Sequence, residues 1–176
     1  MRKGTPYLLE AFRLIVKREP QAVLRLTQTV RDDAREALRR YADLRIDWAP
    51  YFNLQSGEDC RRYIQRIQTS DVFVFPSIED GFGFVVAEAL ACGLPVITTR
   101  NAGASDLIRP GENGEVVPIR NPEAIAEAVL KWWSLGRKEA RVRETERIHE
   151  LLNFEYFDAT LMKHLATIEN SKGIGK

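Results

Sequence analysis

The sequence predicts an α/β fold, a parallel sheet with helices on both faces. Three observations carry this. Helical and strand-like segments alternate along the whole length. Val72, Phe73, Val74 and Phe75 form a continuous apolar run ended by Pro76, as expected of a strand buried on both faces. With 176 residues, 44% apolar and 29% charged, the chain has enough material for one core and lacks the composition of a disordered segment.

Pro6 sits where a first helical turn tolerates proline, and Leu8, Leu9, Phe12, Ile15 and Val16 follow at helical spacing. Residues 6–17 are therefore a predicted amphipathic helix, stopped by Pro20. A short strand at 23–26, a charged helix at 32–41, a weaker strand at 44–48 and a helix at 58–68 come next. After the strand at 72–75, a loop over 77–83 leads into the apolar helix Phe84–Ala91. Gly93 and Pro95 then open a strand at 96–98. Turns are expected at Gly103, Gly111 and Asn113-Gly114, followed by a short strand at 116–117. Asn121-Pro122-Glu123 combines a side-chain cap, a first-turn proline and an acid at the positive end of the helix dipole. The last third reads as helical, with a mixed-charge stretch at 137–150, a terminal helix at 154–168 and a disordered tail at 171–176. One domain over 1–170 is expected.

Composition excludes several function classes. The 26 Lys+Arg and 25 Asp+Glu leave a formal net charge of +1, and the basic residues are interleaved with acids, unlike the basic face of a nucleic-acid binder. Two cysteines, Cys60 and Cys92, make neither a disulfide framework nor a four-ligand zinc site, which suggests a reducing, cytoplasmic setting. Glu10 and Arg13 interrupt the apolar stretch a signal peptide would need, and Glu88 breaks the longest apolar run. A soluble chain is expected, compatible with a peripheral position at the inner membrane. His149 and His164 fall in charged or amphipathic helices, and Trp132 and Trp133 follow helical packing positions.

The chemistry concentrates between Ser77 and Glu88. Gly81 and Gly83 lie between a strand and a helix, where the first helical N–H groups have no internal partners and favour an anion such as phosphate. An ordinary strand-to-helix turn has the same residues. Glu88 adds information because its helix is apolar nearly all round, and a buried carboxylate needs an internal partner or the hydroxyls of a ligand. Asp80 and Glu88 are eight residues apart, which at a rise of ~1.5 Å per residue separates their backbones by roughly 10 Å. That is too far to chelate one atom and disfavours the ~5–9.5 Å carboxylate pair of a glycosidase. It suits an elongated ligand held at both ends with its phosphates between.

The run from Asp71 to Thr98 resembles the most characteristic segment of the family 4 (group 1) retaining glycosyltransferases: an acid, seven residues, then Glu. Here those positions are Asp80 and Glu88, with Gly81-Phe82-Gly83 between them, Pro76-Ser77 before, and Glu88-Ala89-Leu90 and Gly93-Leu94-Pro95-Val96 after. Residues 101–108 and 111–114 are similar to the family's next loop and turn, and Arg2-Lys3-Gly4 with the following helix to its Lys-Gly loop. The resemblance implies the C-terminal, donor-binding half of a GT-B transferase with a Rossmann-like sheet. It further implies that Glu88 binds ribose hydroxyls, Asp80 hydroxyls of the transferred sugar, and Lys3 the diphosphate, Asp80 and Lys3 being the catalytic pair. Ser77, Gly81, Phe82, Gly83, Phe84 and Val85 would complete the donor site. The implied co-substrate is a UDP- or GDP-linked sugar, with no metal and no other cofactor, in agreement with the absence of any Asp-x-Asp triplet.

Asp80 stands where the family usually has Glu, Ala102 where a Gly-Gly pair is common, and Asp106 where Glu is common. The family's first strand and the arginine that accompanies its lysine have no counterpart before Lys3, so the first strand of the sheet is expected to be missing, with either a rearranged sheet or self-association. The implied partner is an acceptor-binding domain or chain. The alternative is a non-catalytic or split-subunit module that binds a nucleotide-sugar and acts with a separate chain. Residues 49–52 align with the family's base-side loop.

Overall fold

The computed structural model describes residues 2–27, 39–49, 52–53 and 55–135. The expected helices and tail beyond residue 135, with His149 and His164, and most of the expected helix at 32–41 lie outside the described residues.

The elements run α1 (Thr5–Val16), β1 (Leu24–Thr27), β2 (Ile46–Ala49), α2 (Gly57–Gln68), β3 (Phe73–Phe75), α3 (Phe84–Ala91), β4 (Val96–Thr99), a 3-10 turn (Gly103–Leu107), β5 (Gly114–Val117) and α4 (Pro122–Ser134). Among the described residues all strand pairing is parallel. It falls into two sheets, β1-β2 and β3-β4-β5, with Leu24 opposite Ile46, Phe73 opposite Val96 and Val96 opposite Gly114.

β4 is the centre of the larger sheet, and every one of its residues is buried. Ile97 faces a core cluster with Phe12 and Ile15 of α1 and Ile125, Val129 and Trp132 of α4. Val96 faces the opposite cluster, where Val86, Ala89 and Leu90 of α3 meet Leu94 and Ile108. Alternate side chains of one strand thus hold helices on both faces, the arrangement the apolar pattern predicts. The helix starts also follow local chemistry. The Asn121 side chain accepts from the Ala124 N–H (2.9 Å), and the Ser56 hydroxyl accepts from Asp59 at the start of α2.

One expectation is corrected. Phe73, Val74 and Phe75 are each only partly buried. Among the described residues β3 is an edge strand, paired to β4 on one side and bordering an open cavity on the other, so the doubly buried strand is β4. Asn113, fully buried, organises the turn before β5: its side chain accepts from the Arg109 N–H (2.7 Å) and donates to the Leu107 carbonyl (3.0 Å).

Leu90 is fully buried against both the sheet and the 3-10 turn. Leu90→Ala is expected to destabilise the fold by ~2–5 kcal/mol in urea unfolding, the range for a truncated core leucine. A loss below about 0.5 kcal/mol would contradict a packed α3–sheet interface.

Candidate functional site

β3 ends at Phe75, and the hydroxyls of two buried threonines on β4 fix the course of the chain beyond it: Thr98 donates to the Phe75 carbonyl (3.0 Å) and Thr99 to the Ser77 carbonyl. The loop from Ile78 to Gly83 is then paired to the segment after β4. Asp80 N–H donates to Asn101 O (2.9 Å), and Ala104 N–H to Phe82 O (2.6 Å). Gly103 sits so close that a Cβ there would lie 2.4 Å from the Gly81 carbonyl oxygen, which only glycine permits. Gly83 takes φ +86° at the N-cap of α3, so the chain turns sharply into the helix. Phe84 and Val85 open the first turn, where their N–H groups have no intrahelical partners, and the Val86 N–H donates back to the Gly83 carbonyl (2.9 Å).

Lys3, Asp80, Gly81, Phe82, Gly83, Phe84, Val85 and Glu88 all line one cavity of about 960 Å³. Eight of the nine residues singled out in the sequence are thereby brought together. Ser77 is not: it is fully buried, and its hydroxyl donates toward the carbonyls of Arg2 (3.1 Å) and Glu79 (3.2 Å), where it holds the loop rather than facing the cavity.

Charge in the site is paired. The Lys3 ammonium donates to the Asp80 carboxylate, with Asp80 largely covered (13% exposed) and Lys3 more open (58%). The same ammonium lies 5.3 Å from the Phe75 ring centroid. Glu88 is partly buried and accepts from the Tyr63 hydroxyl at 2.5 Å. Of the two kinds of partner a buried carboxylate can take, Glu88 therefore has an internal one, the Tyr63 hydroxyl. Burial, and then the Glu88 hydrogen bond and charge, push the Tyr63 phenol well above its ordinary range.

Tyr63 is a site residue that sequence reasoning does not single out. Its signal is that it is the one aromatic in α2, a helix rich in charged residues whose other large apolar side chains are Ile64 and Ile67. Phe52, from the expected base-side loop, is buried, lines the same cavity and packs 5.8 Å from the Tyr63 ring at a tilt of 51°. Pro50 and Tyr51 lie outside the described residues. Phe82 and Phe84 pack beside the cavity with ring centroids 4.8 Å apart at a tilt of 56°, and Phe84 is 68% exposed, so α3 is not buried all round as its composition suggests. Among the described residues no helix is long and apolar enough to cross a membrane.

Because the native state holds the Tyr63 proton more tightly than the unfolded chain does, this group contributes stability below pH ~10 that is lost as pH rises past its raised value. At pH 10.5 an ordinary tyrosine is about 75% ionised. Tyrosinate absorbance of the folded chain at that pH is expected to be the same for wild type and Tyr63→Phe. A loss of close to one tyrosinate in the variant would contradict the Tyr63–Glu88 bond.

The sequence profile described as Glycosyl transferases group 1 matches residues 1–134. Sucrose-phosphate synthase 4 of Arabidopsis thaliana is 39% identical over 64 residues, 36% of this chain and 6% of that protein. Among solved structures, Anabaena HepE in complex with UDP-glucose superposes with a TM-score of 0.75 at 20% identity, over 94% of this chain and 46% of HepE. The C-terminal domain of the group 1 family protein LpcC from Francisella tularensis gives 0.70 at 20% identity, over 84% of this chain and 77% of that domain. The two superpositions show a shared Rossmann-like fold. With the profile covering three quarters of its length and the acid-to-glutamate loop framing its cavity, this chain belongs to the group 1 glycosyl transferases.

Proposed function

We propose that the chain binds a nucleoside-diphosphate sugar, UDP- or GDP-linked, and forms the donor half of a retaining, metal-independent glycosyl transfer. One observation carries this: a cation, a carboxylate, a glycine-opened helix N-terminus and a second carboxylate line one cavity. Glu88, oriented by Tyr63, accepts from ribose hydroxyls. The first-turn N–H groups of α3 and the Lys3 ammonium face the diphosphate, and Asp80 accepts from hydroxyls of the sugar. The bond from the anomeric carbon to the diphosphate breaks with its electron pair on the departing phosphate oxygen. Lys3 and the helix dipole stabilise the charge that develops there. The acceptor hydroxyl oxygen bonds to the anomeric carbon from the face the diphosphate leaves and passes its proton to the departing phosphate oxygen, so no protein base is assigned.

The Lys3–Asp80 pair gives the site a resting state. Phosphate oxygens compete for the lysine, and its withdrawal frees the Asp80 carboxylate for the sugar. Acceptor recognition is assigned to a separate domain or chain, which is supported by the span of the match: 46% of HepE and 6% of the synthase.

Titration calorimetry with UDP, GDP and ADP tests the binding claim and gives the base preference. No heat with any of them on folded protein would defeat it. Glu88→Ala is expected to weaken binding of the preferred free nucleotide by about tenfold or more, the scale of a lost charged hydrogen bond. Asp80→Ala is expected to spare the free nucleotide, because it releases Lys3, and to weaken only the sugar-bearing donor. Equal losses for both ligands would contradict the division of roles.

A further inference from the structure

Two aromatic side chains at the edge of the cavity belong neither to the core clusters nor to the donor contacts proposed above, which use the backbone of this loop. Phe82 and Phe84 both line the cavity, are 37% and 68% exposed, and lie with ring centroids 4.8 Å apart at a tilt of 56°. Apolar rings left open to water beside a ligand site mark a surface that something covers. The backbone beneath them is fixed. The Phe82 carbonyl accepts from the Ala104 N–H (2.6 Å), a Cβ on Gly103 would lie 3.2 Å from the Phe82 Cα, and Phe84 is the first residue of α3.

The transfer geometry indicates what covers the rings, and to that extent the inference rests on the donor reading given above. With the diphosphate at the first-turn N–H groups of α3 and the sugar hydroxyls at Asp80, the anomeric carbon lies between them, beside residues 81–84. An acceptor that attacks from the face the diphosphate leaves must stand next to the diphosphate, at the same end of α3. Phe84 opens that turn. The part of the acceptor nearest the new bond therefore meets the two rings.

The surroundings narrow its chemistry. The face of an aromatic ring is negative and attracts weakly positive C–H bonds, such as those that one face of a pyranose presents. An acyl chain would need apolar surface beyond the rings, but Phe82 is flanked by Asp80, Gly81 and Gly83, and the loop paired with it begins with the exposed Arg100 and Asn101. The Asn101 carbonyl accepts from the Asp80 N–H (2.9 Å), and its side chain has no hydrogen bond among the described residues. An amide both donates and accepts, as sugar hydroxyls require.

We infer that Phe82 and Phe84 form an acceptor-side wall of the site, on which a pyranose ring of the acceptor packs by its C–H face, with Asn101 bonding to one of its hydroxyls. The remainder of the acceptor is left to the separate domain or chain.

The test is an NMR titration of the full chain with its phenylalanine rings labelled, saturated with the nucleotide that calorimetry selects. The probes are the methyl glycosides of glucose, galactose, mannose and N-acetylglucosamine, with sodium octanoate as the acyl chain. Ring resonances of Phe82 and Phe84 are expected to shift saturably with at least one glycoside, with magnetisation transfer from the rings to its C–H protons. Phe84→Leu keeps apolar bulk at an exposed position and removes the ring face. It is expected to weaken that glycoside about threefold or more relative to the nucleotide, the scale of one aromatic contact, and Phe84→Tyr to retain it. Undiminished glycoside binding in Phe84→Leu would overturn the inference, as would equal weakening of glycoside and nucleotide, which places the side chain in the donor site. Silence of the rings to every glycoside in nucleotide-bound protein, or a larger response to octanoate, would overturn it while leaving the donor reading standing. Failure to bind any nucleotide would defeat the donor reading and this inference with it.

Discussion

Two buried hydroxyls at the end of β4 set the geometry of everything beyond β3. Thr98 and Thr99 donate to the carbonyls of Phe75 and Ser77, on either side of Pro76. Proline offers no N–H to a ladder, and the threonine hydroxyls supply the hydrogen bonds that continue the pairing past it. They keep the chain in step with β4 until Asp80 rejoins the backbone at Asn101. Were the hydroxyls absent, the partly buried Phe75 carbonyl and the buried Ser77 carbonyl would each lose a hydrogen bond, an unfavourable change of ~0.5–1.5 kcal/mol each. The loop that carries Asp80, Gly81 and Gly83 is therefore as well positioned as a strand, although it has the composition of a turn.

The same device explains the role of the segment after β4. Ala102 and Gly103 differ from the expected Gly-Gly pair, yet only the second position requires glycine: Ala102 is buried and accommodated, whereas Gly103 touches the Gly81 carbonyl. The contact couples the two loops at the C-terminal ends of adjacent strands, where doubly wound sheets place their ligands. On the far side of the cavity Tyr63 reaches Glu88 from α2. The two carboxylates thus have different partners, an ammonium for Asp80 and a neutral phenol for Glu88. Charge is cancelled at the first and kept at the second, which matches a diphosphate near Lys3 and uncharged hydroxyls near Glu88.

Much of the fold is legible in the sequence because its cues are local. Asn121-Pro122-Glu123 specifies a helix start by side-chain capping alone, and the limits of α3 come from Gly83 and Gly93. The burial of β3 is not legible, because an apolar run of three or four residues does not say which strand lies at a sheet edge; that depends on its pairing partners. Nor is the division of the strands legible, because which strands pair across the sheet depends on contacts distant in sequence: among the described residues β1 pairs with β2 and β3 with β4, and β1 and β3 do not pair. Ser77 sits within the motif yet faces inward, since sequence spacing near a proline does not fix side-chain direction. Tyr63 escapes sequence reasoning because its partner is 25 residues away in the chain.

The proposed function depends on the glycine loop, the α3 N-terminus and Glu88 forming one nucleotide-sugar site. An NMR titration of the isotopically labelled chain with UDP-glucose and GDP-mannose, following backbone amides, probes that directly. Saturable shifts are expected at Gly81, Phe82, Gly83, Phe84, Val85 and Glu88 with at least one donor. Saturable binding that leaves these six amides unmoved would contradict a donor site at this loop.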